Sequence, residues 1–486
     1  MTYTSLGFYL FVLLVLVLYY MVPLRFRWVA LLIGSIAFYY LTCKEGFLIL
    51  LITALLSYGA GLLLQFFREK YAASRRGMQR LILFLSLLPA LLPWLLIKNG
   101  NFLAGILIHK SVFELIVPLG ISFYTLQIVS YLADIYNGKI DAQKNPAKYL
   151  LFLMFFPQII QGPIPRYERI AGQLYEGHSF HEEKFVRGVQ LILWGFFLKF
   201  MIADRADIIV STVFGSPEKY AGFYVFVAAA LYNIGLYTDF LACVTISQGV
   251  AGLFGIDLAD NFRRPYFATS IREFWGRWHI SLSTWLRDYI YIPLGGGRKG
   301  TFRKYVNLIL TFAFSAIWHG SGYKFLLWGL IHATYQIVGS LTAPFRNRLY
   351  RIFRLSEQSG TRKTLQRIGV FFWTMLAEIT FRADSLRIGV YMIKRMFLVW
   401  NPWIFFNDSL LRLGLGWKEW CILLLSIAVL FYVSILQEKG TDIREMILHK
   451  AVYIRWTLYI LTILCIMVFG IYGFGYQGQE FIYGGF

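Results

Sequence analysis

The sequence predicts an all-α polytopic membrane protein with about 11–12 transmembrane helices plus re-entrant and interfacial helices. Of the 486 residues, 58% are hydrophobic and only 15% are charged, whereas a soluble globular domain carries about 25% charged residues. Apolar runs of the length needed to cross a bilayer recur along the chain. Aromatic residues make up 19% of the chain, which is typical of broad aromatic belts at the two membrane interfaces.

Apolar runs alternate with short basic segments, and this alternation predicts the topology. The first run lacks a preceding basic region and a small-residue cleavage site, so we expect a retained span rather than a cleaved signal peptide. The basic segments are expected on the cytoplasmic side, which places both termini outside. These segments are residues 25–27, 68–80, 139–148, 257–304, 346–367 and 438–450. The predicted spans are residues 6–21, 28–41, 47–67, 81–97, 113–136, 186–214, 220–254, 306–318, 325–342, 369–380, 417–436 and 453–473.

One apolar run, residues 149–165, is interrupted by Pro157, Gly162, Pro163 and Pro165. Proline removes a backbone donor and breaks a regular helix. Irregular backbone at membrane depth must be buried in protein or line a cavity. We therefore predict a re-entrant segment here, and residues 401–416 are predicted to be an interfacial segment.

The formal net charge of +21 would indicate nucleic acid as the partner of a soluble protein. Here the positive charge lies in short segments between apolar runs, so topology explains it and no nucleic-acid partner is expected. The same charge could attract an anionic cytosolic donor. The four cysteines show no metal-ligand spacing, and neither a bound metal nor a bound cofactor is expected.

His319 is the most informative residue, because it lies in the apolar stretch Phe-Ser-Ala-Ile-Trp-His-Gly at residues 314–320. An ionisable side chain at membrane depth is costly, and such residues usually line a polar cavity or take part in chemistry. A neutral imidazole can take a proton from a hydroxyl near neutral pH. The residue alone also fits a histidine that only hydrogen-bonds between helices.

His279 lies in a second unusual segment, residues 272–297, which mixes charges with aromatic and apolar side chains. The apolar residues recur at helical spacing, which predicts an amphipathic helix in the interface, within a cytosolic-side segment at residues 257–304. Taken alone, His279 could also be a solvated loop residue. The following glycines, with Arg298 and Lys299, could approach phosphate, but no strand–loop–helix context indicates a P-loop. The two histidines together indicate acyl transfer inside a bilayer.

The remaining candidates carry weaker signals. No Gly-x-Ser-x-Gly motif or serine triad is apparent. Residues 474–486 are glycine-rich and aromatic and are predicted to form an extracytoplasmic C-terminal tail. The other histidines have no convincing partners in the sequence, and none completes a metal site; they are His109, His178, His181, His332 and His449.

Several motifs, which together extend over most of the chain, carry a family resemblance. They are residues 272–297, 120–127 (Gly-Ile-Ser-Phe-Tyr-Thr-Leu-Gln), 130–136, 158–164 with Arg166, 261–266 (Asn-Phe-Arg-Arg-Pro-Tyr), 318–320, 328–329 with His332, and 381–386. These motifs resemble the membrane-bound O-acyltransferase family, and the bacterial alginate O-acetyltransferase branch most of all. The resemblance implies one membrane domain over residues 1–486, whose helices enclose a tunnel.

The resemblance also implies roles for individual residues. His319 is expected to be the catalytic base, and His279 is expected to orient or polarise the donor carbonyl in the same tunnel. Tyr483, in the tail sequence Phe-Ile-Tyr, resembles a proposed acyl relay. The expected donor is cytosolic acetyl-CoA. Its expected binding residues are Arg272, Arg277, Trp278, Arg298 and Lys299.

The same resemblance implies an extracytoplasmic partner of the SGNH serine-esterase type, which passes the acetyl group to a cell-surface polysaccharide. The expected location is the bacterial inner, or plasma, membrane, surrounded by the lipid bilayer. Three alternatives stay open. One is D-alanyl transfer from a carrier protein to teichoic acid, and another is a polysaccharide or lipid transporter or flippase, because intramembrane histidine and broken helices also suit transport. The third is a membrane scaffold.

Overall fold

The computed structural model describes residues 1–71, 76–108 and 116–472, and within these ranges the chain is helical and contains no β-strand. The predicted all-α class is confirmed. The chain divides into two compact units. The first contains the described residues of 1–192 and 243–259, and the second contains residues 193–242 and the described residues from 260 onward. The single domain expected over residues 1–486 stays a prediction.

The first unit is built from helices with aromatic residues on their inner faces. The ring of Phe38 packs against Phe8 and Phe156 at centroid distances of 5.8 and 5.9 Å. On the outer face of the first helix, Leu10 and Leu14 are exposed, as suits a surface that faces lipid. The helices are α1 (Leu6–Met21), α2 (Arg27–Thr42), α3 (Lys44–Tyr71), α4 (Arg76–Ile108), α5 (Ile121–Tyr136), α6 (Pro146–Met154), α7 (Phe156–Ile159), α8 (Tyr167–Glu176) and most of α9 (Glu182–Phe196).

The proline-interrupted run forms a buried break between α6 and α7. Phe155 leaves the helical region with a ψ of 106°, and residues 151–159 are buried. The Pro157 carbonyl accepts hydrogen bonds from the Tyr3 hydroxyl at 2.8 Å and from the Ser247 hydroxyl. The predicted interruption is therefore confirmed, and its irregular backbone is buried in protein, as the absence of water at membrane depth requires.

The second unit carries both histidines singled out in the sequence. Two helices of 19 residues each meet next to His319, where the sequence predicts apolar runs at residues 306–318 and 325–342. The helices are most of α11 (Phe223–Leu253), α10 (Asp204–Phe214) after a π-helical segment at Phe197–Ala203, α12 (Ile271–Arg277), α13 (Ile280–Leu286), α14 (Thr301–His319), α15 (Tyr323–Leu341), α16 (Ala343–Ile352), α17 (Gly360–Arg382), α18 (Leu386–Leu398), α19 (Trp417–Glu438), α20 (Ile443–Leu448) and α21 (Val452–Phe469).

Seven helical stretches in the described part of the chain are long and apolar enough to cross a membrane. They are Leu24–Thr42, Lys44–Tyr71, Gly77–Gly105, Glu182–Phe214, Phe223–Leu253, Trp417–Glu438 and Val452–Phe469. The protein is therefore a multi-pass membrane protein. α14, α15 and α17 are not among the seven, because polar and charged residues interrupt their apolar sequence. The predicted total of about 11–12 spans stays a prediction.

One sequence-based expectation in this unit is wrong. Residues 272–297 do not form one amphipathic helix, because the chain breaks at His279 between α12 and α13. The aromatic side chains expected to enter the interface are instead buried in the protein, as Trp275, Trp278 and Trp285 show. The basic segment at residues 346–367 contains α16 and the start of α17. Helix α18 was not predicted.

Candidate active site

The Trp-His-Gly motif ends α14, and its glycine permits a close approach to α15. His319 is the last residue of α14, and the Gly320 N–H donates to the Ala316 carbonyl at 3.2 Å. A Cβ atom on Gly320 would lie only 2.3 Å from the Phe325 ring. Only glycine therefore fits here without displacing that ring, and the end of the helix fixes where the His319 imidazole lies.

Aromatic rings enclose the His319 imidazole. Its ring centroid lies 4.9 Å from that of Trp318, 5.0 Å from that of Trp328 and 5.7 Å from that of Phe381. The residue is 3% exposed. Side chains from α14, α15 and the end of α17 thus keep bulk water away from the ring. Electrostatic interactions are stronger in such an enclosed site than in water.

His279 occupies the break between α12 and α13. Its φ of 44° and ψ of 54° lie in the left-handed region, which costs a residue other than glycine about 1–3 kcal/mol. The side chain is fully buried. Its ring lies 4.8 Å from that of Phe240 and 5.8 Å from that of Trp318. The strained backbone therefore places this imidazole against the same tryptophan that packs on His319.

Asn261 fixes the tautomer of His279. Its Oδ1 atom accepts the Ser281 backbone N–H at 3.0 Å and the Ser281 hydroxyl at 2.9 Å, and it lies 3.2 Å from His279 Nδ1. A backbone N–H can only donate, so this atom is the amide oxygen and His279 Nδ1 must carry the hydrogen. Burial lowers the pKa of His279 to about 3, so the imidazole is neutral near neutral pH. Its Nε2 atom then carries a lone pair, and no residue in the described ranges hydrogen-bonds to it.

The two buried histidines lie close to each other. Their ring centroids are 6.4 Å apart, with the ring planes inclined at 62°. Both rings pack against Trp318. The structure thus brings together the two side chains that the sequence had singled out in separate segments.

A second polar cluster lies behind the aromatic rings that pack on His319. The Trp275 Nε1–H donates to His332 Nδ1 at 3.3 Å, and the Trp328 Nε1–H donates to Glu378 Oε1 at 3.1 Å. His332 Nε2 lies 3.7 Å from the same carboxylate oxygen. Glu378 therefore anchors the tryptophan that packs on His319. The expectation that His332 has no convincing partner is wrong, and the four-residue spacing from Trp328 could have shown that both lie on one helix face.

The expected donor-binding residues lie in different environments. Trp278 is buried and stacks on Phe274 at a centroid distance of 5.4 Å. The guanidinium of Arg277 already pairs with Glu273 at 2.7 Å and with Glu438 at 2.9 Å. The other three are exposed; they are Arg272, Arg298 and Lys299. A contact of any of these five residues with a donor stays a prediction.

Some predictions fall on residues that the structure does not describe. Tyr483, the C-terminal tail at residues 474–486 and His109 lie outside the described ranges. Within those ranges, no group of three histidine, cysteine, aspartate or glutamate side chains could hold a metal ion.

Sequence reasoning missed a buried charged triad in the second unit. Lys199 Nζ lies 2.7 Å from Asp239 Oδ1 and 3.0 Å from Asp204 Oδ1, and all three side chains are buried. Asp239 directly precedes Phe240, whose ring packs on His279. The available signal was a lysine and two aspartates within long apolar runs, because charges at membrane depth are usually paired.

Comparisons with known proteins identify relatives of this chain. A sequence profile of the membrane-bound O-acyltransferase family matches residues 139–380, which include both histidines. A probable alginate O-acetylase AlgI of Azotobacter vinelandii is 33% identical over 399 residues, which cover 80% of this chain and 76% of the relative. A peptidoglycan O-acetyltransferase of Helicobacter pylori is 33% identical over 319 residues, 60% of this chain and 59% of the relative.

A teichoic acid D-alanyltransferase of Bacillus subtilis is 29% identical over 263 residues, which cover 51% of this chain and 65% of the relative. The matches confirm the resemblance drawn from the motifs. Taken with the apolar helices, they show that this chain is a multi-pass membrane acyltransferase and that it belongs to the membrane-bound O-acyltransferase family.

Proposed function

We propose that this protein is an O-acetyltransferase that takes an acetyl group from cytosolic acetyl-CoA and delivers it to an acceptor outside the membrane. The observation that carries the proposal is the buried pair of His279 and His319, with 6.4 Å between ring centroids. Such a pair supplies a base and a positioning group for attack of a hydroxyl on a thioester. The names of the relatives from A. vinelandii and H. pylori, an O-acetylase and an O-acetyltransferase, support acetyl as the transferred group.

In the proposed reaction, His319 removes the proton from a hydroxyl whose oxygen attacks the carbonyl carbon of the acetyl thioester. A C–O bond forms, the C–S bond breaks, and the proton passes from His319 to the departing thiolate, so no further reactant is consumed. We propose the hydroxyl of Tyr483 as the first acceptor, supported by the resemblance of its tail motif. General base assistance contributes about 10²- to 10⁴-fold in rate, and holding the reactants together can contribute more.

The tautomer of His279 limits what this residue can do. Because its Nδ1–H bonds to Asn261, the neutral ring presents only the Nε2 lone pair, which accepts a hydrogen bond and cannot donate one. His279 therefore does not polarise the thioester carbonyl in the proposed reaction. Instead, it orients the donor by accepting a hydrogen bond from an amide N–H of the coenzyme A arm. Asn261 acts through His279 as a positioning residue.

After the first transfer, we propose that an extracytoplasmic partner of the SGNH esterase type takes the acetyl group from Tyr483. The partner passes it to a cell-surface polysaccharide, and the protein works in the bacterial inner membrane. The support for these steps is the family resemblance and the names of relatives, which refer to O-acetylation of alginate and of peptidoglycan.

The test is acetyl transfer from radiolabelled acetyl-CoA in membranes that contain wild type or variant protein at matched levels. His319→Ala should lower transfer by about 10²-fold or more, as expected when a general base is lost. His449→Ala is the matched control, because that histidine is 76% exposed, and it should leave the rate unchanged. Transfer by His319→Ala at the wild-type rate would contradict the proposed catalytic role.

A second candidate is D-alanyl transfer, and the relative from B. subtilis favours it. The donor distinguishes the two candidates, because D-alanyl transfer needs a carrier protein that holds the acyl group. Membranes that consume acetyl-CoA without an added carrier protein support acetylation. Membranes that turn over only a carrier-bound D-alanyl thioester support the second candidate. Family membership favours either reaction over the transporter and scaffold hypotheses.

A further inference from the structure

A cavity of about 380 Å³ lies in the second unit, and its lining includes neither histidine. Its walls come from α11, α17, α19 and a 3₁₀ turn at Pro265–Phe267. The volume falls within the range of about 300–1,000 Å³ that is usual for small-molecule sites. The cavity is therefore large enough for a ligand, and nothing in the proposed acyl transfer uses it.

The two facing helices line the cavity along matching rows. α19 contributes residues from Ile427 to Ser434, and α17 contributes residues from Thr364 to Phe371. Each row spans eight residues, and the seven rises between its first and last residues amount to about 10 Å at 1.5 Å per residue. Most of the side chains in these walls are aliphatic or aromatic. The cavity is thus an elongated apolar slot between two helices, a shape that suits a hydrocarbon chain.

One end of the slot carries arginines. Arg264 and Arg367 both lie at the 3₁₀ turn, where Arg367 Nε donates to the Phe267 carbonyl at 3.1 Å and its guanidinium lies 4.9 Å from the Phe267 ring centroid. Arg264 pairs with Glu438, the last residue of α19. Ile427, at the other end of the slot, lies eleven residues earlier in α19, about 16 Å along the helix. The slot therefore has a charged end and an apolar end.

The charged end keeps a net positive charge. Glu438 lies 2.7 Å from Arg264 and 2.9 Å from Arg277, and Arg277 also pairs with Glu273 at 2.7 Å. No carboxylate in the described part of the chain pairs with Arg367. Arg264 and Arg277 thus balance the two carboxylates, and the charge of Arg367 is left over. An anion at this end would be attracted, and the terminal nitrogens of Arg367 would be able to donate to it.

We propose that this cavity binds an anionic phospholipid, with one acyl chain between α17 and α19 and the phosphate at Arg367 and Arg264. Only an amphiphile matches both ends of the slot. The charged end belongs to the basic segments 257–304 and 346–367, which are expected on the cytoplasmic side, and basic pockets between helices on that side bind anionic lipid head groups. Coenzyme A fits less well, because its charged nucleotide would lie against apolar walls.

The test measures lipid binding by the purified full-length protein in detergent. Native mass spectrometry follows titration with dioleoyl-phosphatidylglycerol or with dioleoyl-phosphatidylcholine. Wild type should retain one phosphatidylglycerol at a concentration about tenfold below that needed for phosphatidylcholine, because a charge-assisted hydrogen bond favours the anionic lipid. Arg367→Ala should remove this preference. Lys363→Ala removes an exposed cation of the same helix that does not line the cavity and should keep it.

A second variant tests the apolar end without altering the arginines. Ile427→Trp should fill the slot and weaken retention of both lipids by about tenfold, which is within the range of steric losses in a packed site. Leu425→Trp, on the exposed face of α19, should not. Equal retention of the two lipids by wild type, or unchanged lipid retention by both Arg367→Ala and Ile427→Trp, would overturn the proposal. Displacement of phosphatidylglycerol by equimolar acetyl-CoA would also overturn the proposal and would assign the cavity to the acyl donor. The effect of His319→Ala on acetyl transfer tests the proposed function and has no bearing on lipid binding.

Discussion

Replacing Asn261 by leucine tests whether the tautomer of His279 matters for transfer. The change removes the oxygen that accepts from His279 Nδ1–H, the Ser281 N–H and the Ser281 hydroxyl. The hydroxyl can rotate to another acceptor, so two buried donors lose their partner, at about 1–3 kcal/mol each. The Asn261 Nδ2 atom is itself without a partner within the described ranges, so its removal offsets part of this loss. We expect the free energy of unfolding to fall by about 2–4 kcal/mol.

We also expect acetyl transfer by Asn261→Leu to fall at least about tenfold, because the freed ring can present an N–H instead of a lone pair. Asn261→Asp is the matched control. It keeps the acceptor oxygen, but its negative charge raises the pKa of His279, so its activity should rise with pH as the imidazole deprotonates. The comparison measures the initial rate of acetyl transfer in membranes between about pH 5 and 8 and the thermal unfolding of each purified variant. A wild-type rate for Asn261→Leu, at a temperature where it is folded, would refute the reasoning.

Three further predictions concern single positions. Gly320→Ala should lower the free energy of unfolding by about 1–3 kcal/mol and should also lower acetyl transfer. Gly369→Ala is the control, because a Cβ atom there meets open space, and it should change neither the melting temperature nor the transfer rate. Lys199→Met leaves its two aspartate partners buried without a cation, so the free energy of unfolding should fall by about 3–5 kcal/mol. An unchanged melting temperature would contradict this prediction. The pKa of His279 is lowered to about 3 from about 6.5 when unfolded, so the unfolded state binds more protons between these values and stability falls with acidification. Between pH 6.5 and pH 5, the protonation of His279 in the unfolded state lowers the free energy of unfolding by about 2 kcal/mol. Unfolding curves of His279→Gln at these two pH values should not show this contribution.

The long apolar helices follow directly from the sequence, because burial in hydrocarbon requires uninterrupted apolar residues. The predicted run at residues 6–21 coincides with α1, and the break at residues 149–165 is present as predicted. Short helices were harder to predict, since packing rather than periodicity stabilises them. Residues 272–297 have a helical pattern of apolar residues, yet the left-handed backbone of His279 divides them. A local pattern does not show a strained residue that the surrounding structure holds in place.

The two histidines were identifiable from the sequence because ionisable or polar residues in apolar and aromatic surroundings are unusual. Their partners were not, since contacts such as Asn261 to His279 and Trp328 to Glu378 depend on the packing of helices far apart in sequence. For the same reason, the sequence left open whether His279 orients the donor or polarises its carbonyl. Its residue type allows either donation or acceptance, and only the hydrogen bond to Asn261 decides between them.

The most direct test of the central claim is mass spectrometry of the intact protein and its peptides after incubation of the purified protein with acetyl-CoA. Wild type, His319→Ala and Tyr483→Phe are compared in parallel. The proposed reaction predicts an acetyl adduct on Tyr483 in wild type and no adduct at that position in either variant. An adduct on Tyr483 that forms equally well in His319→Ala would contradict the role of the histidine. Turnover of acetyl-CoA that depends on His319 but leaves no adduct on Tyr483 would contradict the tyrosine relay.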